Sequence, residues 1–139
     1  MVKISVVIIT LNEEKNLSRC LTSVAGIADE VVVVDSFSTD NTAAIAEKYG
    51  ARVVNQAFLG YGAQKNFAND QAANDWILSL DADEALSPEL QQSILSVKAK
   101  PEYDAYSLSR LTNYCGKWVK HCGWYPDKKL RLFDKTKGK

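Results

Sequence analysis

Two runs of β-branched residues, separated by a helical pattern, constrain the fold of this chain more than any other feature. Residues Ile4–Ile9 and Glu30–Val34 are almost continuously apolar, which is typical of strands buried on both faces. Between them, apolar residues recur every three or four positions and predict an amphipathic helix over residues 14–25. A strand, a helix and a second strand in this order predict a parallel pair joined by a crossover helix.

The same alternation continues along the first hundred residues. Apolar runs at Ala51–Val54 and Trp76–Leu80 predict two more strands, and a mixed pattern predicts a fifth over residues 105–112. The further predicted helices are one capped by Asp40 and ending near Tyr49, one over residues 62–73, and one that begins at Ser87-Pro88-Glu89 and ends before Pro101. We therefore expect a single α/β domain over residues 1–139, with a Rossmann-like, mostly parallel sheet and helices on both faces.

The charge of the chain is balanced overall but uneven along it. The 17 basic and 17 acidic residues give a formal net charge of zero. Residues 1–109 carry 8 Lys/Arg and 15 Asp/Glu, a net charge of −7, whereas residues 110–139 carry 9 and 2, a net charge of +7. A basic segment of this kind indicates either an anionic partner or a solvated tail. Because no nucleic-acid-binding motif accompanies it, we expect no nucleic-acid partner.

The cysteines and the amino-terminal residues indicate a reducing compartment. Cys20, Cys115 and Cys122 are three in number and cannot all pair. The apolar stretch after Met1 is too short for a signal peptide, and no run approaches the ~18 apolar residues of a membrane span. We expect free thiols and a cytoplasmic protein, because Cys115, Cys122 and His121 lack the spacing of a zinc site.

Polar residues follow three of the predicted strands, at the edge where open α/β sheets bind ligands. Asp81 and Asp83 come directly after the Trp76–Leu80 strand, and residues two apart on an extended segment point to the same side. Two such carboxylates favour Mg²⁺ or Mn²⁺, which would complete its coordination with substrate phosphates and water. The alternative is an acidic turn that leads into the helix start at Ser87.

Two further charged residues are candidates for ligand contact. Asp35 follows the second strand, where a carboxylate can accept hydrogen bonds from a ribose or a base. Because Asp40 is better placed to cap the next helix, we expect Asp35 to be free for a ligand. The segment Gly60–Asn66 enters a helix and carries Lys65 in its first turn, where it could neutralise a diphosphate. Taken alone, this segment favours a plain turn.

Four segments together resemble the inverting glycosyltransferases of family 2, which have a GT-A fold. They occur in the family's order and comprise residues 4–12, 30–42, 62–66 and 78–84. The resemblance implies a UDP-sugar donor and a divalent cation, Mg²⁺ or Mn²⁺. It implies these positions in the donor site: Thr10, Asn12 and Glu14 in the nucleotide pocket, Asp35 at the nucleoside, Lys65 near the base or phosphates, Asp81 near the ribose, and Asp83 on the metal.

The later residues resemble a subgroup, the bacterial lipopolysaccharide core β-glucosyltransferases of the WaaE/KdtX type. The matching segment is 113–133, and it implies transfer of a hexose, usually glucose, to the inner core. We expect residues 1–109 to bind the donor and residues 110–139 to begin the acceptor region. The expected contacts with a phosphorylated saccharide or glycolipid acceptor are Trp118, Trp124, Tyr125, Lys129 and Arg131. Such an acceptor implies peripheral contact with the inner face of the bacterial inner membrane, although the same rings could instead pack beneath a loop.

The catalytic base that sugar transfer requires has no candidate motif in the chain. The family carries this base downstream, in an ED or HE-like motif, and none precedes Lys139. Asp127 and Asp134 look better suited to loops, so we expect the base beyond Lys139 and this chain to be an amino-terminal portion. The alternative function is a catalytically silent nucleotide-binding or interaction module. Haloacid-type phosphatases, receiver domains and nucleotidyltransferases each require a motif after the first or third strand that is absent here.

Overall fold

A seven-stranded sheet organises the part of the chain that the computed structural model describes, residues 2–100, 105–108, 118–119 and 129–136. In chain order the elements are β1 (Ile4–Thr10), α1 (Leu17–Val24), β2 (Glu30–Asp35), α2 (Thr42–Lys48), β3 (Arg52–Asn55), α3 (Tyr61–Gln71), β4 (Trp76–Asp81), α4 (Pro88–Ala99), β5 (Ala105–Leu108), β6 (Trp118–Val119) and β7 (Lys129–Asp134). The strand order is β3-β2-β1-β4-β7-β5-β6. Strands β3, β2, β1 and β4 are parallel, whereas β7, β5 and β6 pair antiparallel. The predicted mostly parallel α/β sheet is therefore confirmed.

Helices cover both faces of the sheet, because successive residues of each strand point to opposite sides. Ile8 of β1 belongs to a larger core that includes residues of α1, α2 and α4. Its neighbour Val7 belongs to a smaller core that includes residues of α3. Both side chains are almost fully buried, and burying one such side chain stabilises a fold by about 1.5–3 kcal/mol. The predicted helices on both faces are thus confirmed.

The helix starts differ in detail from the sequence prediction. Helix α1 begins at Leu17, because the preceding residues form a turn. In this turn the backbone carbonyl oxygen of Glu13 accepts hydrogen bonds from the Asn16 and Leu17 N–H groups. At α2, the capping position is Asn41, whose side chain makes no capping bond; the Asp40 carboxylate instead accepts the Thr42 N–H at 3.0 Å. Asp40 therefore caps this helix from one residue further out than expected.

Helix α4 begins as predicted. Its capping residue, Ser87, accepts a hydrogen bond from the Leu90 N–H at 3.2 Å, and Pro88 occupies the first turn. Proline is favoured there because the amide hydrogen it lacks would have no partner within the helix. The capping bond therefore fixes Ser87 as the residue where the loop after β4 ends and the helix begins.

Strand β7 is the largest difference from the sequence prediction. It lies between β4 and β5, and its Leu132 and Phe133 stand opposite Leu78 and Ile77 of β4. Leu132 is fully buried in the larger core and Phe133 is 8% exposed in the smaller one. The boundary at residue 109 therefore does not separate two regions in space. Asp134, which we expected in a loop, is the last residue of this strand.

Short strand β6 is a second, smaller difference. It occupies Trp118–Val119, after the last strand predicted from the sequence, and pairs with Ser107 and Leu108 of β5. Because β6 has only two residues, the sequence shows no alternating pattern that predicts it. Alternation is recognised over four or more residues.

Two structural observations concern the cysteines and the membrane-spanning potential of the helices. Cys20 is buried and forms no disulfide, as predicted. Cys115, His121 and Cys122 lie outside the described residues. Within the part of the chain that the structure covers, no helix has the length and apolar character to cross a membrane.

Candidate functional site

A cavity of about 340 Å³ opens where β1, β2 and β4 end. Parallel strands bring their carboxyl ends to one edge, so residues far apart in the chain meet there. Three of the residues predicted for a donor site line this cavity: Thr10, Asp81 and Asp83. The site predicted at this edge of the sheet therefore coincides with a cavity.

Residues 81–84, named here the β4 corner, direct carboxylates at the cavity. The Lys65 ammonium of α3 pairs with the Asp81 carboxylate at 3.0 Å. Glu84 accepts the Asp81 N–H at 2.9 Å, and Arg19 of α1 donates to the Asp83 carbonyl oxygen at 3.1 Å. The backbone of the corner is thus held from two sides, while the side chain of Asp83 is exposed.

The donor set of the β4 corner fits a hard divalent cation. Asp81 and Asp83 both line the cavity and supply oxygen ligands, which Mg²⁺ and Mn²⁺ prefer. Among the described residues, no group of three or more His, Cys, Asp or Glu side chains is arranged to hold a metal. Because two carboxylates fill only part of the coordination shell, a cation bound here would take most of its ligands from substrate and water, as Mg²⁺ commonly does in phosphate-binding sites.

Residues 10–14 and 35–42, named here the β1–β2 corner, use their polar groups differently. Asp35 is 1% exposed. Its carboxylate accepts hydrogen bonds from the Thr10 hydroxyl at 2.6 Å, the Ser38 hydroxyl at 2.6 Å and the Ser38 N–H at 2.9 Å. The expectation that Asp35 is free for a ligand is therefore wrong. It considered only the capping of α2 as a structural role for this carboxylate, which instead accepts hydrogen bonds from Thr10 and Ser38. Contact between Asp35 and a nucleoside stays a prediction.

Asn12 and Glu14 belong to the same network and do not line the cavity. The Asn12 side-chain oxygen accepts the Thr39 N–H at 2.9 Å, and the Asn12 N–H donates to the Ser38 hydroxyl at 2.8 Å. The Glu14 N–H donates to the Asp40 carboxylate at 3.2 Å. These bonds tie the loop after β1 to the loop after β2, and the predicted roles of Asn12 and Glu14 in nucleotide binding stay predictions.

Asp40 closes this network at the start of α2. Its carboxylate accepts hydrogen bonds from the Thr42 hydroxyl and the Thr42 N–H as well as from Glu14. The hydrogen bond from the Thr42 side chain is the main cause that lowers the pKa of Asp40 below its ordinary value. The ionised form of Asp40 is therefore the form that the fold favours.

Two residues of the β1–β2 corner adopt left-handed backbone conformations. Asn12 has φ of 53° and Phe37 has φ of 56°. Asparagine adopts this region readily, but for other residues with a Cβ it costs roughly 1–2 kcal/mol. Phe37 is also 61% exposed, so burial of its ring does little to offset that cost.

Several cavity residues were missed by sequence reasoning. They are Leu11, Glu13, Ser36, Phe58 and Gln64. The sequence marks the segment 62–66 that contains Gln64, but nothing in it shows that this glutamine is 0% exposed. Phe58 precedes that segment and is 50% exposed, and an aromatic residue in a polar loop was the available signal.

Cys20 of α1 lies directly behind the β4 corner. Its thiol faces the Asp81 carbonyl oxygen at 3.8 Å. Burial raises the pKa of Cys20 to about 12, and the nearby carboxylates of Glu84, Asp81 and Asp83 act in the same direction. The thiol therefore stays protonated at neutral pH and has no thiolate with which to react.

The structure describes the side chains of none of the predicted acceptor residues. Trp124 and Tyr125 lie outside the described residues, as does Asp127. For Trp118, Lys129 and Arg131 the structure describes the backbone, in β6 and β7. Their contact with an acceptor stays a prediction.

Comparison with known proteins identifies relatives of the whole described fold. The sequence profile described as "Glycosyl transferase family 2" matches residues 5–138. An uncharacterized glycosyltransferase of Rickettsia conorii is 54% identical over 104 residues, which are 75% of this chain and 37% of that protein. The lipopolysaccharide core biosynthesis glycosyltransferase LpsC of Rhizobium meliloti is 33% identical over 147 residues, which cover 98% of this chain and 52% of LpsC. The chain thus spans roughly a third to a half of the length of these curated relatives.

Solved structures give the same picture. The crystal structure of residues 1–349 of TarS from Staphylococcus aureus has a TM-score of 0.63 at 32% identity, covering 74% of this chain and 34% of that one. Glucosyl-3-phosphoglycerate synthase from Mycobacterium tuberculosis, in complex with UDP, has a TM-score of 0.63 at 26% identity, covering 76% and 43%. Further crystals of that synthase hold UDP together with Mn²⁺ or with Mg²⁺.

Proposed function

The chain belongs to glycosyl transferase family 2 and has the GT-A fold, and from this premise we propose that it binds a UDP-sugar and takes part in metal-assisted transfer of a hexose. The observation that carries the proposal is the cavity at the carboxyl ends of the parallel strands, which Thr10, Asp81 and Asp83 line together. Two solved relatives support it, since their crystals hold UDP or UDP-GlcNAc.

In the proposed donor site, Asp81, Asp83 and Thr10 act from the cavity wall and Lys65 acts through its ion pair with Asp81. Asp83 would hold Mg²⁺ or Mn²⁺, and Asp81 would lie nearer the ribose. When bound, such a cation stabilises the negative charge that develops on the departing diphosphate. Lys65 would supply a second positive charge near the phosphates, because its ammonium already lies 3.0 Å from Asp81. Thr10, at the end of β1, would line the nucleotide pocket.

The proposed acceptor is a phosphorylated saccharide or glycolipid, which receives glucose with inversion of the anomeric carbon. The relative LpsC carries the description of a lipopolysaccharide core enzyme. TarS is described as a poly(ribitol-phosphate) β-N-acetylglucosaminyltransferase, a name that includes a phosphate-bearing acceptor. The catalytic base, the cytoplasmic location and the contact with the membrane surface stay predictions.

Calorimetry with UDP, with and without Mn²⁺, tests the donor site directly. We expect UDP binding that Mn²⁺ strengthens, and we expect Asp83→Ala to remove that strengthening. The matched control is Asp75→Ala, which changes an exposed aspartate just before the opposite end of the same strand. No UDP binding by the unchanged protein would overturn the proposal.

Product analysis tests the chemistry. Because we expect the catalytic base beyond Lys139, residues 1–139 alone should bind UDP but give no product with UDP-glucose or UDP-GlcNAc and a phosphorylated core saccharide. A longer chain that carries the base should give a glycosylated product whose new linkage has the inverted anomeric configuration. A retained configuration would contradict inversion. UDP binding without any transfer by the longer chain would support the alternative, a catalytically silent nucleotide-binding module. Robust transfer by residues 1–139 alone would contradict the expected position of the base.

A further inference from the structure

Gln64, in the first turn of α3, is a polar side chain with no exposed surface that nevertheless reaches the cavity wall. Both ends of its amide are hydrogen-bonded. The oxygen accepts the Leu59 N–H at 3.2 Å, and the nitrogen donates to the Ser36 hydroxyl at 3.1 Å and towards the Gln56 carbonyl oxygen at 3.5 Å. An amide N–H and a carbonyl oxygen need opposite partners, so these neighbours fix the orientation of the side chain.

The bonds of Gln64 join two loops that both form the cavity. Ser36 follows β2, whereas Gln56 and Leu59 belong to the loop between β3 and α3. That loop, residues 56–60, carries Phe58, whose ring is 50% exposed and lines the cavity. Because Gln64 holds the loop on both sides of Phe58, the position of the ring depends on the glutamine amide.

We propose that Gln64 is a positioning residue for the donor nucleoside, which it serves by holding residues 56–60 so that Phe58 forms the wall against which the flat base packs. The inference rests on the proposed function, since it requires the cavity to take UDP. Gln64 itself is buried behind the loop and acts through Phe58. An aromatic ring that packs on a base contributes roughly tenfold or more to affinity, so the effect is measurable.

The choice of variants follows from the hydrogen bonds. Gln64→Met keeps the length of the side chain and removes its polar contacts, which releases the Leu59 N–H. Gln64→Glu keeps an acceptor for that N–H but places a carboxylate beside the Gln56 carbonyl oxygen. We therefore expect the UDP affinity of the glutamate variant to lie between those of the methionine variant and the unchanged protein.

A double-mutant cycle on UDP affinity tests the proposal. We expect Gln64→Met and Phe58→Ala each to weaken Mn²⁺-supported UDP binding about tenfold, and the double variant to bind no more weakly than Phe58→Ala alone. Losses that multiply would overturn the proposal, because the glutamine would then act independently of the ring. Equal UDP affinity of Phe58→Ala and the unchanged protein would also overturn it, and the midpoint of thermal unfolding shows that each variant is folded.

A matched glutamine separates positioning from general stability. Gln91 of α4 donates to the Ser23 carbonyl oxygen at 3.0 Å, far along the chain from the cavity loops. We expect Gln91→Met to lower the midpoint of thermal unfolding while UDP affinity stays unchanged. If Gln91→Met weakens UDP binding as much as Gln64→Met does, the proposal fails. If the unchanged protein does not bind UDP, the proposed function fails with it, whereas UDP binding that Gln64→Met leaves intact overturns this inference alone.

Discussion

The β1–β2 corner and the β4 corner lie side by side at one edge of the sheet, yet they use their polar residues in opposite ways. In the first, Asp35 is buried and accepts three hydrogen bonds from neighbouring residues. In the second, Asp83 is exposed on the cavity and Asp81 forms an ion pair with Lys65. The first corner therefore fixes the backbone around the cavity, and the second presents charge to a ligand. Changes in the first should act on stability, and changes in the second on binding.

Asp35→Ala should have the largest effect on the free energy of unfolding. The substitution leaves the Thr10 hydroxyl, the Ser38 hydroxyl and the Ser38 N–H without their buried acceptor, which costs about 2–4 kcal/mol. Urea unfolding measures the loss, and Asp70→Ala, at an exposed position of α3, is the control that should stay within about 0.5 kcal/mol. If Asp35→Ala keeps its stability and loses UDP binding, Asp35 acts on the ligand, as proposed for the β4 corner, and not on the framework.

Lys65→Met should have the opposite pattern of effects, with weaker UDP binding and little change in the free energy of unfolding. Removal of the ammonium should weaken UDP binding about tenfold, which corresponds to about 1.4 kcal/mol. The ion pair with Asp81 is partly exposed, so unfolding should change by less than about 1 kcal/mol. Lys48→Met, at an exposed position of α2, is the control for loss of one positive charge. A large loss of stability with intact UDP binding would show that Lys65 belongs to the framework.

Phe37→Asn should stabilise the β1–β2 corner slightly. Asparagine adopts the left-handed conformation more readily than phenylalanine, and the exposed ring contributes little burial. We expect a gain of a few tenths to about 1 kcal/mol in urea unfolding. A loss of more than 1 kcal/mol would show that the ring packs against the corner after all.

The smallest effect should appear in the pH dependence of stability. Hydrogen bonds from Thr42 and Glu14 lower the pKa of Asp40 in the folded protein below its ordinary value of 3.8. The stabilisation is therefore present above that value and is lost as the pH falls through the folded pKa. Unfolding measured from about pH 5 to about pH 2, across and below that value, should show a steeper loss for the unchanged protein than for Asp40→Asn. Parallel pH profiles would contradict this role of Asp40.

The sequence predicted the parallel half of the sheet well, because each of its strands is locally distinctive. Continuous β-branched runs such as Val31–Val34 have few alternatives to a buried strand. Strand β7 was missed although Lys129–Phe133 alternates basic and apolar residues, a pattern of a half-buried strand. We assigned that alternation to acceptor binding, and nothing local reveals that it pairs with β4.

Three of the residues predicted for the donor site, Thr10, Asp81 and Asp83, line one cavity, but the sequence did not show which carboxylates are bound within the fold. Asp35, Asp81 and Asp83 all follow buried strands, so their place in the sequence cannot distinguish a framework carboxylate from one that meets a ligand. The distinction depends on neighbours from other loops, such as Thr10 and Ser38 for Asp35. The burial of Gln64 likewise arises from contacts with Ser36 and Leu59 that form only in the folded chain.

The insertion of β7 beside β4 has a consequence for how the chain emerges from the ribosome. Strands β1 to β4 can pair once residue 81 has left the ribosome, but the outer edge of β4 receives its partner only when residues 132–134 have left it too. At ~5–20 residues per second, the intervening roughly 50 residues take on the order of 3–10 s to synthesise. During that interval an apolar strand presents unpaired backbone groups, a template for association with other chains. Pairing with another chain at this edge is therefore possible until the chain's own carboxyl-terminal strand covers it.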